Sequence, residues 1–110
     1  MAFNEALVER IRGLVADRDD VSERKMFGGL SFMLAGNMCC GVIGDELMVR
    51  VEPGETEALL GEPHARRFDM TGRPMNGWLV VGGAGVTDDA ALARWVGRGV
   101  AFAASLPAKG

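Results

Sequence analysis

The residues able to do chemistry in this 110-residue chain are few and scattered. Cys39, Cys40 and the single histidine, His64, are the strongest soft-ligand candidates, and a closed metal site normally needs three or four such ligands held tetrahedrally. No Cys-x-x-Cys or His-x-x-x-His spacing exists to supply them. Cys39 and Cys40 are neighbours in an extended run, where successive side chains point to opposite faces. A mutual disulfide would be strained, so two reduced thiols and a cytoplasmic setting are expected. Nothing beside them in the sequence lowers a thiol pKa.

A hydrolytic centre needs a nucleophile with a base in reach. Only Ser22, Ser31 and Ser105 accompany the one histidine, and their spacing makes no triad. Asp88 and Asp89 form an acidic pair, but they stand where a helix begins and suit its positive end. No catalytic set emerges, and the expectation is a protein that is not an enzyme and carries no cofactor.

Binding chemistry has more to draw on. Arg24 and Lys25, with Arg66, Arg67 and Arg73, are the densest positive charge near the expected strand ends and loops. Such groups suit an anion, a phosphate or an acidic partner. The same charges also serve as guards of an open sheet edge. Gly28-Gly29 would let backbone N–H groups approach a ligand, yet phosphate cradles run into a helix and this pair runs into a strand, which reads as a turn or bulge. Met26, Met33, Met38, Met48, Met70 and Met75 fill irregular core gaps or line an adaptable contact surface. Trp78 and Trp95 both lie on apolar patterns and read as core, while an exposed Met75-Asn76-Gly77-Trp78 loop would offer a partner a contact surface.

These residues need a scaffold. Hydrophobic residues at 48% and charged residues at 25% match a folded globular domain, and the length suits one core, residues 1–110. A net charge of −3 disfavours a dedicated nucleic-acid binder. No apolar run reaches membrane-spanning length, and the first residues lack the basic-then-apolar pattern of a signal peptide.

Leu7, Val8, Ile11, Leu14 and Val15 form a helical stripe from Asn4 to about Asp17, with Asn4 as N-cap and Phe3 as a staple on Val8. The Asp17–Asp20 run is a solvated exit. Glu23–Met26, Leu30–Leu34, Met38–Ile43 and Glu46–Val51 are short extended runs punctuated by Gly28-Gly29, Ala35-Gly36-Asn37 and Gly44-Asp45. Leu47, Val49 and Val51 share one face, with Met48 and Arg50 on the other. Pro53 opens a short helix that stops at Gly61 and Pro63. Arg66–Met70 and Trp78–Val81 add two strands, and Thr87 caps a last helix whose stripe runs through Leu92, Trp95, Val96, Gly99, Phe102, Ala103 and Leu106. The fold class is α+β, in the order helix, three or four strands, helix, two strands, helix, with an antiparallel sheet.

Three stretches carry a family resemblance: Arg24-Lys25-Met26-Phe27-Gly28-Gly29-Leu30, Gly72-Arg73-Pro74-Met75-Asn76-Gly77-Trp78, and Trp95 to Phe102. Over about residues 3 to 107 the chain resembles the TfoX N-terminal domain of competence regulators. The resemblance implies a secretion-chaperone-like fold with a sheet between helices, and it supplies no catalytic residues. In those regulators the domain is followed by a helical one, whereas this sequence stops just past Pro107. The expectation is a regulatory protein-interaction module that binds a protein partner, including itself as a homodimer. A small-ligand or zinc-binding domain using Cys39, Cys40 and His64 is the alternative, and a weak nucleic-acid-associated regulator comes third.

Overall fold

The computed structural model describes residues 3–26, 28–68 and 75–107. Helix α1 (Glu5–Leu14) starts at Asn4, whose side chain accepts the Leu7 N–H at 3.1 Å. The amide of Asn4 also donates to Asp45, and its backbone N–H donates to the Gly44 carbonyl, so the cap clasps the helix to a sheet turn. Strands β1 (Val21–Met26), β2 (Gly29–Leu34), β3 (Asn37–Ile43) and β4 (Glu46–Arg50) follow as an antiparallel meander. Each reversal uses a glycine at positive φ, namely Gly28, Gly36 and Gly44. Asn37, expected in the second connection, instead opens β3, because Ala35 and Gly36 both take positive φ and close a two-residue turn.

A 3-10 turn (Pro53–Glu55) leads into the single-turn helix α2 (Thr56–Leu59). Its buried Thr56 hydroxyl accepts the Gly77 N–H at 2.9 Å, fixing this corner to the sheet. Strands β5 (Ala65–Phe68) and β6 (Met75–Val81) complete the sheet in the order β1-β2-β3-β4-β6-β5. The placement of β6 inside β5 follows from composition. Leu79 and Val81 face the helices while Trp78 and Val80 face the other way, so β6 is apolar on both sides and profits from a central position. The charged runs Ser22-Glu23-Arg24-Lys25 and Arg66-Arg67 take the two edges, where charge opposes strand addition.

Helix α3 (Asp89–Ala104) packs with α1 on one face of the sheet. Between them lies the main core, with Leu7, Val8, Ile11, Leu92, Trp95 and Val96 against Phe32, Val42, Leu47, Val49, Leu79 and Val81. The expected cap of α3 is corrected by one residue. Asp88 accepts the Ala91 N–H at 3.0 Å, while the Thr87 hydroxyl donates backwards to the Ala84 carbonyl at 2.9 Å. A carboxylate at this position gains from the helix dipole as well as from the hydrogen bond. Asp88→Ala is therefore expected to cost about 1 kcal/mol in a denaturant titration. Thr87→Ala, by the same comparison, should cost clearly less.

Among the described residues no helix is long and apolar enough to cross a membrane. The observed order, helix, four strands, short helix, two strands, helix, is the expected α+β arrangement.

Candidate functional site: the open face of the sheet

Alternation along the strands places a second apolar set on the face opposite the helices. Met38, Met48 and Val80 are buried there, and Met33, Ile43, Phe68 and Trp78 pack around them half-buried. A Cβ at Gly41 would meet the Met48 methyl at 2.9 Å and the Met38 methyl at 3.3 Å, so both thioether side chains fold over the glycine. Phe68 and Trp78 lie with ring centroids 6.2 Å apart, inclined at 53°. No described helix packs on this cluster.

Charged groups border it. Arg66 donates two hydrogen bonds of 2.6 Å to Glu46, which hold the Glu46 carboxyl below its usual range and raise the guanidinium. At the other end of β4 the Arg50 guanidinium lies 5.7 Å from the Trp78 ring and 5.3 Å from the Phe102 ring. Trp78, read as core, is thus a half-buried residue of this second face, whereas Trp95 is 2% exposed within the main core.

The basic residues do not form one patch. Arg24 and Lys25 are exposed on β1, while Arg66 and Arg67 lie on β5 at the opposite edge, five strand spacings or about 24 Å away. Arg67 also pairs with Glu57. Arg73 lies outside the described residues, as do Phe27 and Met70. The side chains of Met26, Met75 and Asn76 are likewise not among those described.

The adjacent cysteines correct the expectation of opposite faces. Phe32 pairs with Cys40 and Met33 with Met38, which leaves Cys39 as the extra residue of a β-bulge. The bulge turns both side chains into the main core, fully buried, with the sulfurs 4.0 Å apart and the Cys39 thiol donating to the Phe32 carbonyl at 3.4 Å. The expectation that nothing nearby lowers a thiol pKa is corrected with it. The hydrogen bond with Cys40 lowers Cys39, while the same contact and burial push Cys40 well up. His64, exposed, directly precedes β5, which is three strand spacings or about 14 Å from β3. The three soft ligands are not brought together, and among the described residues no cluster of three His, Cys, Asp or Glu side chains could hold a metal. Because both thiols are shut off from solvent, an aromatic disulfide reagent should leave them unmodified in the native protein and titrate both in guanidinium.

Alternation is the signal that exposes this site: Met33, Ile43, Arg50 and Phe68 can be read from it once the strands are paired. Their neighbourhood, by contrast, depends on the order of the strands.

The family model described as the TfoX N-terminal domain matches residues 13–103 of the chain. No curated protein and no solved structure matches it. The match spans the end of α1, the whole sheet and nearly all of α3, including the Gly28-Gly29 turn and the open face, and the chain belongs to the TfoX N-terminal domain family.

Proposed function

We propose that this domain is a non-enzymatic regulatory module that acts by protein contact, self-associating as a homodimer through the open face of its sheet. The observation that carries the reading is the second apolar cluster, in which Met33, Ile43, Phe68 and Trp78 stay half-exposed around Met38, Met48 and Val80. A sheet face of methionine and aromatic side chains, bordered by charged residues, has the make-up of a contact surface: an adaptable apolar centre with a polar rim. Arg66 with Glu46, and Arg50 over Trp78, supply that rim. A reducing, cytoplasmic setting suits the buried thiol pair.

Light scattering at micromolar concentration should return twice the chain mass, and Trp78→Asp, which puts a charge in the apolar centre, should return the single-chain mass. A wild-type monomer, with no partner retained in a pull-down from its host, would contradict the proposal.

A further inference from the structure

The helix side of the domain carries a separate feature. Where the C-terminal half of α3 faces the Pro53–Leu59 corner, a cavity of about 330 Å³ is lined by Val51, Leu59, Ala101 and Phe102 on its apolar side and by Glu52, Glu55, Arg98 and Ser105 on its polar side. Its charges are incompletely matched. Glu52 and Glu55 are exposed and have no ion pair among the described residues. Arg98 is stacked with its guanidinium 4.5 Å from the Trp95 ring, and its only carboxylate among the described residues is Glu62, at a long 3.6 Å. The Ser105 hydroxyl donates to the Phe102 carbonyl at 2.6 Å, which leaves its oxygen lone pairs as acceptors.

The exposed part of the Arg98 guanidinium, whose one described carboxylate stands at 3.6 Å, holds a second carboxylate more strongly than any neutral group. Two unpaired carboxylates and a hydroxyl oxygen are what an ammonium group requires. Val51, Leu59, Ala101 and Phe102 supply an apolar wall, and the volume, at the small end of ligand pockets, accommodates a free amino acid. We infer that this cavity binds a free amino acid with an apolar side chain, its carboxylate on Arg98, its ammonium between Glu52 and Glu55, and its side chain against Leu59 and Phe102. Ligands with only one of the two charges are disfavoured: a bare carboxylate meets Glu52 and Glu55, and a bare amine leaves the Arg98 guanidinium with only its long pair to Glu62. The site is distinct from the open face and does not rest on self-association.

Calorimetric titration of the intact chain with L-leucine, L-methionine and L-phenylalanine tests this directly, with isoamylamine and isocaproate as the half-charged controls. At least one amino acid should bind saturably, and each control at least about tenfold more weakly, because each forgoes the charge-assisted hydrogen bonds at one end of the site. Arg98→Gln should weaken binding at least about tenfold. Glu52→Gln with Glu55→Gln, at exposed positions that leave the core untouched, should do the same and stands as the test if Arg98→Gln does not fold. No saturable heat with any of the three amino acids would overturn the assignment. So would a control binding as tightly as the amino acid, or binding unchanged in the double variant.

Discussion

Gly29→Ala is expected to destabilise the domain by about 3 kcal/mol, at the upper end of what overpacking costs, and to lower the melting temperature by more than about 10 °C. A Cβ at this position would sit 2.1 Å from the Val42 carbonyl oxygen and 3.1 Å from its carbon. The obstacle is backbone of the adjoining strand, held by the Leu30–Val42 pairing, so no side-chain rotation relieves it. Gly13→Ala is the matched control. Gly13 lies in the last turn of α1 with nothing within 4 Å of a Cβ, so the same methyl should stabilise by about 0.5–1 kcal/mol through helix propensity. Thermal melts of the two variants should move in opposite directions. A Gly29→Ala protein melting with the wild type would show that β2 and β3 do not approach each other this closely.

Trp95→Ala is the second large effect, expected at about 3–5 kcal/mol. The indole is among the largest fully buried side chains and sits on the α3 stripe beside Leu92 and Val96. It also supports the Arg98 guanidinium, so the substitution removes a stacking partner together with core volume. With native domains only about 5–15 kcal/mol stable, this variant should be largely unfolded in mild urea, read by far-UV circular dichroism. Trp78→Ala offers the contrast: half-buried on the open face, Trp78 should cost less stability while removing the proposed dimer contact. Equal losses at the two tryptophans would contradict the assignment of one to the core and the other to a contact surface.

The parts of this fold legible in the sequence are those set by local chemistry. The 3.6-residue stripes of α1 and α3, the Asn4 cap and the glycine-punctuated strands need only neighbours along the chain to declare themselves. What depended on distant partners was hidden. Gly28 is required by its positive φ, which a turn reading anticipates, but Gly29 is required by the approach of Val42, thirteen positions away. Cys39 and Cys40 look like alternating strand residues until pairing with β2 shows that one of them is a bulge. Thr87, Asp88 and Asp89 are all competent caps, and the choice falls to the residue whose carboxylate reaches the Ala91 N–H.

The candidate sites divide in the same way. The basic residues read as one set along the chain, yet strand order sends Arg24 and Lys25 to one edge and Arg66 and Arg67 to the other. The cavity beside Arg98 could not be read at all, because it joins residues from the end of β4, the Pro53–Leu59 corner and α3. The open face is half legible: alternation separates Met48 and Arg50 from Leu47 and Val49, but only the order β2-β3-β4-β6-β5 gathers Met33, Met38, Trp78 and Phe68 around Met48. That gathering is what makes a surface of individually ordinary residues.

Contact between this face and a second copy of the chain is reported most directly by methionine methyl resonances, since Met33, Met38 and Met48 all lie there. In protein labelled at the methionine methyl groups and diluted across the micromolar range, these three signals should shift or broaden together as dimer gives way to monomer. Trp78→Asp should hold them at the dilute limit. Resonances of Met33, Met38 and Met48 that stay fixed at every concentration, alongside a single-chain mass, would contradict the account.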